Sequence, residues 1–326
     1  MAERDRFVAT AFSDGSEFAN PLLIAEFPLF WRAISQVLLD PGPINLAQLA
    51  DGGPVGILSD QLRDASPDRS KTLNTAIASS WAAAPLGALI FREPLQRGLE
   101  ISADDWTHCW QRLGNRVNSL ADIEQLPDSP ISQRGQGQSR GEEPKRGREQ
   151  LLLAAEELLA TRLETSVTGR ELATKAGVNY GLVTHYFGSK NAAFDEALTS
   201  LHRKFLDDVL AVGAAAMKGG ARSVFAEHRA FLRAWASRLL RHADTPEFEL
   251  LGMQRLREQV FDARSITSRQ RRRRLDAVGD AMTSVALQLG WTILRPLPSA
   301  VDRTALVDIE NSLRSIHQRI LEDPAA

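Results

Sequence analysis

REQLLLAAEELLATRLETSVTGRELATKAGVNYGLVTHYFGSKNAAFDEAL, Arg148 to Leu198, reads as three short helices and the start of a fourth. Leu151, Leu152, Ala155, Leu158 and Leu159 recur at the spacing of one buried helical stripe. The second helix turns Leu172, Ala173 and Ala176 inward, and Gly177-Val178 ends it, because glycine tolerates the positive φ such an ending needs. Asn179 is placed to cap a third helix from Tyr180 to about Phe187, with Val183 and Phe187 inside and Tyr180, Leu182, Thr184 and His185 outside. Gly188-Ser189 breaks that helix, and Ser189 can cap the next. This is a helix-turn-helix with its recognition helix exposed.

AAEELLA, then GRELATKAGVNYGLVTHYF, then GSKNAAF resemble, in order and spacing, the DNA-binding head of the TetR family of transcriptional regulators. The resemblance covers about 50 residues, and one departure is Gly169, where the family usually has an apolar residue bracing the second helix. Carried over residue by residue, it implies a recognition helix at 179–187. Asn179, Tyr180, Gly181, Leu182, Thr184 and His185 are then the candidates for the major groove. Gly181 would let the backbone approach a base pair, and Leu182 could meet a thymine methyl. Tyr186, Lys190, Thr168 and Arg170 are the implied phosphate contacts, Thr168 and Ser189 lying at helix N-termini that favour anions. His185 and Tyr186 could instead pack within the head.

Composition bounds the rest. With 326 residues, 43% apolar and 25% charged, the chain is globular and long enough for two or three domains. The net charge of −2 divides into about −7 for residues 1–133, +2 for 134–204 and +3 for 205–326, so the acidic excess lies away from the head. One cysteine, Cys109, excludes a disulfide framework or a cysteine metal cluster and fits a reducing cytoplasm. The longest apolar run, Trp81 to Phe91, is about half a membrane span and contains Pro85, so no membrane insertion is expected.

The pattern elsewhere is helical, giving an all-α chain. Residues 1–126 form a first lobe, with helices ending at Asp40-Pro41-Gly42-Pro43, over about Lys71–Phe91 and over about Ala103–Ser119, and a looser stretch at Gly52-Gly53-Pro54. Residues 127–147 are rich in Gly, Ser, Gln and Pro and read as a flexible linker. Its basic end, Arg140, Lys145, Arg146 and Arg148, is either a solvated tether or an arm touching DNA. After the head (148–198), a long helix reaches about Met217, Gly219-Gly220 ends it, and further helices fill a second lobe, 199–326. This placement resembles the family's helical domain that binds a small molecule and forms the dimer.

The two flanks repeat each other at an offset of about 200 residues. FWRAISQVLLD (Phe30–Asp40) pairs with FLRAWASRLLR (Phe231–Arg241), PLGALIFREPL (Pro85–Leu95) with QLGWTILRPL (Gln288–Leu297), and WQRL (Trp110–Leu113) with HQRI (His317–Ile320). The first lobe is then a second copy of the family's C-terminal domain without a head. Met1 aligns near Leu201, so either a first head was lost or the true start lies upstream.

These features point to a ligand-responsive regulator of a double-stranded DNA operator, most simply a repressor released by a small-molecule effector, working as a homodimer or as an intramolecular pseudo-dimer. His228, Trp235, Met253, Met282 and Trp291 are candidates for an effector cavity, or else core. The basic run Arg269–Arg274 is either a patch for an acidic partner or a solvated helix start. No phosphate loop, nucleophile elbow or His-x-x-x-His pair occurs in the sequence, so neither a catalytic site nor a cofactor is implied. The rival reading is a sensor or adaptor whose head no longer binds DNA alone.

Overall fold

In the computed structural model, residues 26–39, 53–126, 147–212, 224–241, 248, 250, 253–295 and 306–322 are described, and among them there are helices and no strands. The first lobe contains α1 (Pro28–Leu39), α2 (Pro54–Ala65), α3 (Lys71–Ile90), α4 (Arg92–Leu99) and α5 (Ala103–Asn118). The head contains α6 (Gly147–Thr161), α7 (Gly169–Ala176), α8 (Gly181–Phe187) and the start of α9 (Lys190–Val212). The second lobe follows with α10 (Val224–Glu227), α11 (Arg229–Arg241), α12 (Met253–Ala263), α13 (Arg271–Leu294) and α14 (Leu306–Glu322). The linker of the sequence reading, apart from Gly147, and the Gly219-Gly220 stop lie outside the described residues.

Two boundaries differ from the sequence expectation. The stretch after Gly52-Gly53 is a helix, not a loose segment: Pro54 opens α2 at its first turn, where a missing N–H costs nothing and the fixed φ suits the helix. Val55, Leu58 and Leu62 then bury one face against α3. In the second lobe the helical pattern that resumes after the expected Gly219-Gly220 stop is interrupted at His228, between α10 and α11.

The two lobes meet along α3 and α13. Both helices are rich in small residues, and their closest approach is built on glycines. A Cβ on Gly87 would strike the carbonyl of Ala286 and come within 2.7 Å of the Gly290 nitrogen. A Cβ on Gly290 would strike the carbonyl of Ala83. Around this crossing α5 packs on α13 and α14 packs on α3, so the interface is a four-helix layer. By length and composition α3 could cross a membrane, but most of it is buried inside the protein.

A buried carboxylate joins the lobes to one side of the crossing. Asp280, fully buried on α13, is 2.8 Å from Arg112 and 3.0 Å from Arg116 on α5, and 2.6 Å from Arg264, which follows α12. Arg116 also donates to the Ile320 carbonyl at 2.6 Å and Arg264 to that of Leu321 at 2.8 Å. Gly279 beside it admits Arg112: a Cβ there would lie 2.8 Å from Arg112 Cγ.

The five effector candidates are distributed through the core of the second lobe. Trp235 is enclosed by Phe91, Phe231 and Phe248, with ring centroids 5.2 to 5.7 Å away. His228 is hydrogen-bonded to Asp208 at 2.7 Å and lies edge-on to Phe205. Met253 and Met282 are fully buried, and Trp291 is half-buried against the same core. Trp235 and Phe91 belong to different lobes, so this aromatic cluster also ties the lobes together.

Candidate nucleic-acid interface

The head is fixed by local chemistry that begins at Thr168. Its hydroxyl accepts the Glu171 N–H at 3.2 Å, and the Glu171 carboxylate accepts the Thr168 N–H at 2.6 Å, closing a capping box. Arg162 donates to the same carboxylate at 2.8 Å. The Arg162 hydrogen bond, with those of Thr168, holds the Glu171 carboxyl down to about 2. The Thr168 N–H is therefore already occupied within the head.

Gly177 ends α7 at φ 67, in the left-handed region where a side chain would be strained. The turn then places Asn179, whose Oδ1 accepts the Gly181 N–H at 2.8 Å. Leu182 and Val183 bond back to the carbonyls of Asn179 and Tyr180, a tight first turn that starts α8 one or two residues later than the sequence indicates. Val183 is buried and Phe187 half-buried, as the four-residue spacing requires. Gly188 leaves α8 at φ 76, and the Ser189 hydroxyl accepts the Ala192 N–H at 3.1 Å to open α9.

The exposed face of this turn and helix carries Asn179, Tyr180, Gly181, Thr184, His185 and Tyr186. Arg170 is exposed at the start of α7. His185 and Tyr186 lie edge to face, centroids 4.9 Å apart, while remaining exposed. Two implied contacts sit differently from expectation. Leu182 is half-buried rather than turned fully outward, and its tip lies by the start of α6, 3.6 Å from where a Gly147 Cβ would be. Lys190 folds inward and donates to the carbonyls of Glu164 at 3.0 Å and Val167 at 2.8 Å, leaving one N–H for a phosphate.

At Gly169, where the family usually has an apolar bracing residue, the structure supplies what fills the space. A Cβ at Gly169 would lie 2.7 Å from Tyr180 Cε2, so the tyrosine ring covers the start of α7 where a larger residue would have stood. Arg148, the last residue of the basic run before the head, is half a brace as well: it bonds Glu196 at 2.6 Å and lies 5.3 Å over the Phe187 ring.

The head docks on the second lobe through charges that sequence alone did not single out. Glu164, in the turn between α6 and α7, accepts from Arg238 at 2.5 Å and from Arg241 at 2.8 Å, and Asp195 on α9 lies 2.6 Å from Arg238. Burial alone would raise the Glu164 carboxyl, but these hydrogen bonds outweigh it and hold the group below its ordinary range. Because Lys190 binds the Glu164 carbonyl, the clamp reaches the N-terminus of α9, directly after α8. Arg233 of α11 also reaches the Ala160 carbonyl in the head and the Leu39 carbonyl in the first lobe. Among the described residues, no cluster of three His, Cys, Asp or Glu side chains is placed to hold a metal.

Residues 151–197 match the family model for bacterial regulatory proteins of the tetR family. No match was found among curated proteins or among solved structures. The head, and not the lobes, is therefore what this chain shares with the DNA-binding domain of tetR-family regulators.

Proposed function

We propose that this regulator reads DNA with one head per pair of lobes, the first lobe standing within the chain where a second subunit would otherwise pair. The carrying observation is the reciprocity of the α3–α13 crossing. Gly87 lies on Ala286 and Gly290 lies on Ala83, so each glycine faces the residue four places before the other. That is the relation of an isologous two-fold contact, in which residue i meets j and j meets i. Gly87 and Gly290 are also the residues aligned by the sequence repeat.

Other features support the same reading. In chain order α1, α2, α3 and α5 correspond to α11, α12, α13 and α14, with lengths of 12, 12, 20 and 16 residues against 13, 11, 24 and 17. The packing of α5 on α13 corresponds to that of α14 on α3. The pairing has also diverged: Asp280 with Arg112 and Arg116 exists on one side of the crossing, where the aligned residue of the first lobe is Ile77. Burying that carboxylate without its arginines would be costly, which favours the first lobe over a second copy of the second lobe.

One head has about half the contacts of a two-headed dimer, so binding is to a short half-site and is weak unless chains also associate. The resemblance of the head further suggests a repressor released by an effector. An effector releases DNA only by binding the non-DNA form more tightly. The candidates Trp235, Met253 and Met282 pack as core and add no support for a cavity among them.

Selection of duplexes from a random library, followed by sedimentation of the complex, tests the reading. One short asymmetric site holding one chain is the expected result. An inverted repeat holding two chains would return the protein to a dimer of chains, and no enriched sequence would make the head an adaptor module.

A further inference from the structure

The basic run Arg269–Arg274 is used neither by the head nor by the pairing of α3 with α13. α13 opens with four consecutive arginines and no acidic residue in its first turn, an arrangement that the helix dipole disfavours. Beside these arginines lies a depression of about 390 Å³ between the lobes, within the size range of small-molecule sites. Its floor is apolar and drawn from both lobes: Leu99 and Ile101 from the first, Phe261 and Val278 from the second, all buried.

The wall carries three guanidinium groups. Arg257 is held by Glu100 at 2.5 Å. Arg271, 82% exposed, is 3.3 Å from Asp105 across the lobe boundary. Arg274 places its guanidinium carbon over Phe261, 4.5 Å from the ring centroid, and has no carboxylate within ion-pair distance among the described residues. Three cations against two carboxylates leave one positive charge above an apolar floor.

We propose that this inter-lobe depression binds a small amphipathic monoanion, its acidic group between Arg271 and Arg274 and its apolar body on Leu99, Ile101, Phe261 and Val278. The guanidinium of Arg274 supplies a charge-assisted donor already oriented by its ring. The body of the ligand would cover the small apolar area that Ile101, Phe261 and Val278 still expose. Since the floor comes from both lobes, the occupant would rest on each of them at once.

Calorimetric titration of the full-length protein, without DNA, tests the site independently of how the head reads DNA. The probes are decanoate, decyltrimethylammonium and inorganic phosphate. Decanoate should bind once per chain, the cation should not bind, and phosphate should bind at least about tenfold more weakly because it leaves the floor wet. The double change Arg271→Gln with Arg274→Gln should weaken decanoate about tenfold or more. Arg273→Gln removes the same charge from the same run but lines no part of the depression, and should leave binding unchanged. Absence of decanoate binding, equal binding of the cation or of phosphate, or equal weakening by Arg273→Gln would overturn the proposal. So would displacement of decanoate by random-sequence duplex, which would make the run a surface for nucleic-acid phosphates.

Discussion

Gly87 and Gly290 meet where α3 crosses α13, the Gly290 nitrogen lying 2.7 Å from where a Gly87 Cβ would be. Neither position has room for a methyl group, because what it would strike is backbone rather than a movable side chain. Gly290→Ala should therefore push the helices apart and destabilise the protein by about 1–3 kcal/mol or more. Urea denaturation together with the Stokes radius checks this, and an unchanged midpoint would mean that the two lobes are not held at this crossing.

Gly169→Ala acts through Tyr180. The tyrosine ring is half-exposed and can swing away, so stability should change little while the ring leaves the recognition surface. DNA affinity should fall with Gly169→Ala in the native background and be insensitive to it once Tyr180→Ala is present. A double-mutant cycle of binding energies, with coupling above about 0.5 kcal/mol, is the expected signature.

On the proposed reading, substitutions at Arg170 and His185 separate phosphate contact from base reading. Arg170→Gln should make the dependence of log affinity on log salt shallower by about 0.9, the value for one lost phosphate contact. His185→Ala should weaken binding to the selected site by about tenfold while leaving that slope unchanged. Filter or anisotropy titrations at three salt concentrations measure both.

Acid should loosen the head. Glu171 is held near 2 from an ordinary 4.5, and Glu164 is also held below 4.5 by Arg238 and Arg241. A carboxyl whose folded pKa is depressed contributes its full stabilisation above the unfolded value and loses it as pH falls through the folded one. The melting temperature of the native protein should therefore exceed that of Glu164→Gln or Glu171→Gln near neutral pH. The gap should close as pH falls below about 4.5, and for Glu171→Gln should persist until about 2. A gap independent of pH would mean that the ionised carboxylates do not hold the head.

Cys109 reports on the lobe interface. It is buried on α5 against Gly279, and burial, with Asp105, Asp276 and Asp280 nearby, pushes its thiol up to about 12. The thiolate is the reactive form, so maleimide at mildly alkaline pH should leave the native protein unlabelled and modify it only as the lobes open in denaturant. Fast labelling of the native protein would mean that α5 and α13 part readily.

The head was legible in the sequence because its determinants are short-range. The left-handed Gly177, the Asn179 side chain that takes the Gly181 N–H and the Val183–Phe187 spacing each act within four or five residues, whereas the equally local Thr168–Glu171 box went unread. Periodicity also placed α3 and α5 closely, and it missed α2 only because Gly52-Gly53-Pro54 reads equally as a loop or as a helix start. What a helical face meets is a different matter, since it depends on residues some 200 positions away. Tertiary structure alone decided that Gly87 lies on Ala286, that Asp280 gathers Arg112, Arg116 and Arg264, and that Trp235 is walled in by Phe91. It also spent two of the Lys190 hydrogen bonds inside the head and filled the Gly169 gap with Tyr180. An apolar stripe specifies that a surface will be buried, and only the crossing of two helices specifies by what.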